Sequence, residues 1–387
     1  MSKVKAITGA EAAAEAMRQI NPDVCAAFPI TPQTPVMQKF AGFHADGLVD
    51  SELIRVESEH SAMSCCVGAS AAGARVMTAT SSAGLALMWE IVGVAAGLRL
   101  PIVMEIVNRA LSAPINIHCD HSDSMGTRDL GWIQVYSENA QEAYENTLLA
   151  IRLAEKVLLP VMVCQDGFIT SHGVENVKIF DDNKVKKFVG EHKYPYGLLN
   201  IKKPVTHGPL QLQDYYFETK SQQMPAMEEA EREYIKVGNE LSKITGNKYP
   251  YFEEYKLKDA KVAIVVLSST AGTTKAVIDK MREKGRKVGL LKPRLFRPFM
   301  YKEIGNALKN IDSIAVLDRS ESFGANAPLY GEIKNALYDV KYKGKLHSCI
   351  FGLGGRNIYE SEIEGVFNEL LTNKLKEKEY IGLRKCP

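Results

Sequence analysis

Short apolar runs alternate with helix-like runs through the first 170 or so residues. The runs "VCAAF" (from Val24), "ELIRVE", "RVMTAT", "PIVMEIV" and "LLPVMVC" are a few residues long and bounded by turn formers, so each predicts a strand, buried in the case of "VCAAF". Thr8 and Glu11 have the capping-box spacing, and the alanine-rich run behind them predicts a helix. Further helices are predicted from about Ser58, within "LALMWEIVGVAAGLRL", and from about Ala140 to Ala154. Strands alternating with helices predict parallel βα units. Ligands gather at the carboxyl ends of such strands. The loops "FPITP", "ESEH", "TSSAG", "NRALSAP" and "QDGF" all fall there and form the candidate site.

The pattern changes from Gly173 to Lys258, which is charged and carries tyrosine–proline pairs. One helix is predicted inside it. Met227, Ala230, Tyr234, Val237, Leu241 and Ile244 recur at spacings of three and four, between Pro225 and Gly246. Its acidic residues Glu228, Glu229, Glu231 and Glu233 suit a solvated first turn facing the helix dipole better than a metal site. The last third returns to α/β with "KVAIVVLSS", "KVGLLKPRLF", "SIAVLD" and "LHSCIFGLGG" as strands. The expected division is a core over residues 1–172, a charged arm or linker extending it over 173–258, and a second, smaller α/β domain over 259–387.

Composition narrows the function classes. The formal charge of +2 argues against a nucleic-acid surface, which needs a basic excess. No apolar run reaches the roughly 18 residues of a membrane span, and the N-terminus lacks the apolar stretch of a secretory signal. Seven scattered cysteines without a C-x-x-C pair encode neither a zinc ribbon nor an iron–sulfur site and suit a reducing compartment, the cytoplasm. There is no phosphate loop and no nucleophile elbow. "GLGGR", from Gly352, lacks the third glycine of a dinucleotide loop. "HCDH", from His118, has no matching second pair of ligands and reads as a polar active-site loop, so no metal site is expected in this chain.

The stretch "FPITPQTP" puts three prolines within eight residues at the end of a predicted strand. Together with "ESEHSA", "TSSAGLALM", "NRALSAPINIHCDHSDS" and "CQDGFITSH", it occurs in the order and spacing of the alpha subunit of 2-oxoacid:ferredoxin oxidoreductases. The chain resembles that family, above all its pyruvate form. The resemblance implies a pyrimidine-binding thiamine diphosphate domain with a parallel sheet, followed by a transketolase C-terminal-like domain. It implies an oxidoreductase subunit acting on pyruvate with coenzyme A and ferredoxin, reversibly. A branched-chain enzyme for 2-oxoisovalerate and an aromatic one for phenylglyoxylate or indolepyruvate are the nearest alternatives, and a non-catalytic assembly subunit is the alternative from another class. Thiamine diphosphate would be shared with a beta subunit. Mg2+ and [4Fe-4S] clusters would reside in partner chains, among beta, gamma and delta subunits. No G-D-G motif with a downstream asparagine occurs here, in keeping with a divided site.

The resemblance also implies roles for residues. Glu59 matches the glutamate that contacts the pyrimidine N1′. A carboxyl group shared with that nitrogen favours the imino tautomer, which takes the proton from thiazolium C2. Glu57 is the competing assignment. Arg109 matches an arginine near the substrate carboxylate, which a guanidinium fork suits. Thr31 matches a threonine that hydrogen-bonds the substrate, its backbone restricted by Pro29 and Pro32, while Thr34 is expected to cap the following helix. Pro29 and Ser82 complete the expected cofactor contacts. His60, His118 and His121 lie near the same loops without an assigned role.

Overall fold

The computed structural model describes residues 2–384. The first part contains β1 (Lys3–Thr8), β2 (Val24–Ala27), β3 (Glu52–Arg55), β4 (Val76–Thr80), β5 (Val103–Asn108), β6 (Ile133–Ser137), β7 (Val161–Asp166) and β8 (Val174–Ile179). The rest contains β9 (Phe252–Tyr255), β10 (Val262–Val266), β11 (Val288–Pro293), β12 (Leu295–Arg297), β13 (Ser313–Asp318), β14 (Lys345–Ile350) and β15 (Lys378–Tyr380). One sheet has seven strands in the order β12-β6-β7-β5-β4-β2-β3, and another has six in the order β15-β14-β13-β10-β11-β9. β1 and β8 form a separate antiparallel ribbon.

The pairings from β2 through β7 are all parallel, as the βα alternation predicts. β4 to β7 are buried along their whole length, because helices cover both faces of the sheet. The helices Gly9–Ile20, Thr34–Ala45 and Ala140–Val157 pack together, and Glu59–Ala72 packs with Trp89–Gly97. The first of these helices begins with the expected capping box. Glu11 N–H donates to Thr8 Oγ1 at 3.1 Å, and Thr8 N–H donates to Glu11 Oε2 at 3.0 Å. Its alanines Ala10, Ala12, Ala13, Ala14 and Ala16 are fully buried, and their small size lets the helix lie close against Ala140–Val157.

The helix expected over the 227–244 stripe spans Gln223–Thr245 and ends at Gly246 with φ +80°. It buries Ala230, Tyr234, Val237 and Leu241 against Ala140–Val157. The segment 173–258 is more divided than an arm of the first domain. β8, at its start, pairs with β1, but β9, at its end, pairs with β11 in the second sheet. In "VENVKI" and "FEEY" the alternation of two is interrupted by charge, which hides both strands. Conversely β12, from the second part, joins the first sheet antiparallel to β6. β6 itself lies beyond the His- and Asp-rich loop, where no strand was expected.

Candidate active site

The strand order reverses between β2 and β4, since β3 lies on one side of β2 and the remaining parallel strands on the other. The crevice of an open parallel sheet forms at such a reversal, outside the carboxyl ends. Residues 28–33 and the start of the helix Ser82–Leu87 follow β2 and β4 there, with the start of helix Glu59–Ala72 and the loop after β5 beside them.

Glu59 is the first residue of its helix, whose N-cap Ser58 accepts the Ser61 N–H at 3.2 Å. The helix dipole there suits a carboxylate. Glu59 is only 7% exposed, yet its carboxylate makes no hydrogen bond or ion pair among the described residues. The buried Thr80 Oγ1 has no partner either. Both lie against Gly84, where an added Cβ would stand 2.5 Å from Thr80 Oγ1 and 2.7 Å from Glu59 Oε1. A buried carboxylate and a buried hydroxyl, each unpaired above a residue that must lack a side chain, fit the polar edge of a flat heterocycle such as an aminopyrimidine. Glu57, the competing assignment, is exposed and engages the Ser61 hydroxyl, which lowers its pKa.

Arg109 and Thr31 meet directly. Arg109 Nη1 donates to the Thr31 carbonyl at 2.9 Å, and Arg109 Nε donates to the Asn116 carbonyl at 2.9 Å. Nη2 has no partner among the described residues, although Arg109 is only 7% exposed. The Thr31 side chain is exposed and makes no hydrogen bond among the described residues, so its hydroxyl is open to a ligand. Pro29 is exposed beside it. Thr34 does not cap the helix. It is the first helical residue, Gln33 holds the N-cap position, and no side chain caps there, because Pro35 in the first turn removes a donor that a cap would serve.

Ser82 is fully buried and spent within the chain. Its hydroxyl donates to the Ala110 carbonyl at 2.5 Å and its N–H donates to Asp123 Oδ2 at 2.9 Å. These bonds hold it at φ +44°, an uncommon conformation for a non-glycine residue. Sequence reasoning did not single out Asp123, which organises the region. Its Oδ2 also accepts Arg109 N–H at 3.0 Å, and its Oδ1 accepts Asn108 Nδ2 at 2.8 Å and Ser124 N–H at 2.7 Å. Burial raises its pKa to about 6, with the bonds from Asn108, Ser82, Arg109 and Ser124 working against that rise.

His60 stands 3.9 Å from Glu90, and His118 is exposed and lies tilted against Phe168 with ring centroids 4.9 Å apart. His121 is buried and paired with Asp166 at 2.7 Å. Cys119, His121 and Asp166 lie close enough to hold a metal ion. In this structure Asp166 pairs with His121 and accepts the Ser269 hydroxyl. Glu138, Glu142 and Glu253 form a second such group, and Lys292 Nζ occupies it at 2.6, 2.8 and 3.0 Å.

The family model for "pyruvate flavodoxin/ferredoxin oxidoreductase, thiamine diP-bdg" matches residues 15–239, and that for "pyruvate:ferredoxin oxidoreductase core domain II" matches residues 260–363. The chain is 56% identical to the pyruvate synthase subunit PorA of Thermotoga maritima over 98% of each chain. It is 44% identical to the PorA of Methanocaldococcus jannaschii over 100% of this chain and 99% of that one. It is 41% identical to the ketoisovalerate oxidoreductase subunit VorA of Pyrococcus abyssi over 95% of this chain and 93% of that one. Among solved structures, the 2-oxoglutarate:ferredoxin oxidoreductase of Magnetococcus marinus superposes with a TM-score of 0.72 at 20% identity, over 95% of this chain and 65% of that one. A split-gene transketolase superposes with a TM-score of 0.57 at 11% identity, over 96% of this chain and 100% of that one. The two structures share the fold, a thiamine-diphosphate-binding α/β domain followed by a transketolase C-terminal-like one, and the family models together with whole-length relatives establish that this chain belongs to the pyruvate:ferredoxin oxidoreductase family as its alpha subunit.

Proposed function

We propose that this chain is the alpha subunit of a cytoplasmic complex that oxidises pyruvate with coenzyme A to acetyl-CoA and carbon dioxide, passing two electrons to ferredoxin, and that also runs in reverse. The observation that carries the reading is the 56% identity to a PorA subunit over 98% of each chain, supported by the Arg109–Thr31 contact and by the unpaired Glu59 and Thr80 against Gly84. Thiamine diphosphate, when bound, supplies the carbanion chemistry. Glu59 shares a proton with its pyrimidine N1′, Arg109 holds the substrate carboxylate through Nη2, and Thr31 donates its hydroxyl to the substrate. Pro29 lines the cofactor side of the loop, and Ser82 acts by fixing the turn beneath Glu59 rather than by touching the cofactor. In this reading residues 1–172 grip the pyrimidine, 173–258 tie the two units together, and 259–387 brace the substrate loop.

The beta subunit supplies the diphosphate site with Mg2+, and gamma and delta subunits complete the complex with the [4Fe-4S] clusters that reduce ferredoxin. In support, the carboxylate group in this chain with metal-binding spacing already holds Lys292. Leu87, Trp89 and Ile115, near the crevice, are 53%, 51% and 79% exposed, as a face covered by another chain would be. No helix of the described residues is long and apolar enough to cross a membrane. The 41% identity to a VorA subunit keeps 2-oxoisovalerate as the second reading.

A substrate panel on the co-purified complex tests the assignment, with pyruvate, 2-oxoisovalerate, phenylglyoxylate and oxalate compared by kcat/KM. Pyruvate should lead by at least about tenfold, because even one extra methylene in a pocket discriminates by about tenfold or more. A complex that prefers 2-oxoisovalerate would overturn the pyruvate reading. Arg109→Ala should raise KM for the 2-oxoacid by about a hundredfold, the loss of one charge-assisted contact. Arg109→Lys should recover little of it, since an ammonium cannot replace the planar fork.

A further inference from the structure

The loop from Ala110 to His121 carries the groups that orient Arg109, but the first sheet does not hold it alone. Residues 112–115 are exposed and belong to no helix or strand. Within the loop itself, one backbone bond closes it, from Ala110 N–H to the His118 carbonyl at 3.0 Å. Asn116 sits inside this closure and faces two ways. Its backbone carbonyl accepts Arg109 Nε at 2.9 Å. Its side-chain amide donates to the Gly354 carbonyl at 3.1 Å, while its Oδ1 accepts the His118 N–H at 2.6 Å.

Gly354 belongs to the turn after β14, in the second unit. The same turn donates Gly354 N–H to Asp120 Oδ2 at 3.2 Å and Gly355 N–H to the Cys119 carbonyl at 2.6 Å. The fit is close. At Gly354, φ +60°, a Cβ would stand 2.5 Å from Asn116 Nδ2, and at Gly355, φ +77°, a Cβ would stand 2.3 Å from His118 Cβ. Both the backbone conformation and the space require glycine. The glycine run "GLGG" therefore has a use other than a nucleotide loop. It approaches another loop, not a phosphate.

We infer that the glycine turn Gly352–Gly355 is a positioning element for the substrate carboxylate, acting through Asn116 on Arg109. The inference rests on the proposed reading of Arg109 as the carboxylate-binding residue. The guanidinium is fixed at two points, the Thr31 carbonyl and the Asn116 carbonyl, and these set the direction of the remaining Nη2 edge. The Thr31 end is stiffened by its prolines. The Asn116 end is tied within its own loop only through His118, and the glycine turn adds a tie from 238 residues away in the chain. A planar fork must be held within about 0.5 Å and 10–20° to meet a carboxylate productively. A shift of about 1 Å costs up to about a hundredfold. Loosening Asn116 thus weakens use of the 2-oxoacid without touching the groups that meet the cofactor.

The test compares Asn116→Ala, Arg109→Ala and the double variant in the assembled, thiamine-diphosphate-saturated complex. Asn116→Ala deletes the amide anchor, and with it the Oδ1 acceptor of the His118 N–H, but keeps the carbonyl that Arg109 uses. We expect KM for the 2-oxoacid to rise about tenfold, with kcat within about twofold and the Kd for thiamine diphosphate, from calorimetric titration, unchanged. In the double variant KM should rise no further than in Arg109→Ala alone, because the anchor acts only through that arginine. A purely structural role would instead lower kcat, weaken the cofactor or add to the Arg109→Ala effect, and any of these overturns the inference. If Arg109→Ala raises KM while Asn116→Ala leaves it within twofold, the inference falls and the reading of Arg109 stands. If Arg109→Ala leaves KM unchanged, both fall. Gly354→Ala should reproduce the Asn116→Ala split in a complex that still assembles.

Discussion

At Glu59 a carboxylate only 7% exposed makes no hydrogen bond or ion pair among the described residues. Such a group destabilises the fold, and a partner that arrives with the ligand offsets the cost. Glu59→Gln should therefore act in opposite directions on stability and on turnover. Thermal unfolding of the isolated chain should shift up by about 2–4 °C, the effect of about 1 kcal/mol in a domain of this size. Turnover of the complex should fall at least about a hundredfold, the scale of a lost positioned proton transfer. Near-normal activity would sink the assignment. Gly84→Ala places a methyl group between Thr80 and Glu59 and should weaken thiamine diphosphate at least about tenfold in a binding titration. The helix start at Glu59 was legible in "ESEH". Thr80 was not, since a threonine in an apolar strand reads as an ordinary β-former.

At the scale of elements, the site is a set of loops whose mutual contacts are long-range in sequence. Asp123 ties Ser82 and Arg109 together across 41 and 14 residues. Nothing in "HSDS" marks its aspartate as a hub, because the role exists only once the loop folds back. Two of the missed strands, β8 and β9, hide alternation behind charged residues. Most of the parallel βα units were readable from their short apolar runs, but β6 was not, although it is buried along its whole length. Asp123→Ala should remove four acceptor contacts at once and raise both the KM for the 2-oxoacid and the Kd for thiamine diphosphate. A change in only one of the two would show that its bonds to Ser82 and Arg109 are not equally important.

Across the whole molecule, charge clamps the two units. Glu142 lies on the helix Ala140–Val157 of the first unit and meets Lys292 at 2.8 Å and Arg294 at 2.6 Å from the second. Burial raises its pKa, but the Arg294 and Lys292 charges more than offset this and bring it down to about 2. A carboxylate whose pKa is lowered on folding stabilises the protein above its unfolded value and loses that contribution as pH falls toward the folded one. Glu142→Gln should thus cost about 3 kcal/mol near pH 7, as expected for breaking a buried ion pair. The difference from the parent should shrink between pH 4.5 and about 2 in denaturant titrations. A difference independent of pH would show that packing, not charge, joins the units there.

The short strand β12 belongs to one unit by sequence and to the other by hydrogen bonding. Cutting the chain after Lys258 would therefore not release a finished first domain. It would bare the outer edge of β6, a fully buried strand, with its N–H and C=O groups unpaired and its apolar side chains uncovered. Such an edge recruits further chains into edge-to-edge pairing. The fragment should aggregate on expression even though its own core is complete in composition. During synthesis the same edge would stay open until the second unit emerges, so the order of translation delays closure of the cofactor domain until the residues that brace its substrate loop have also been made.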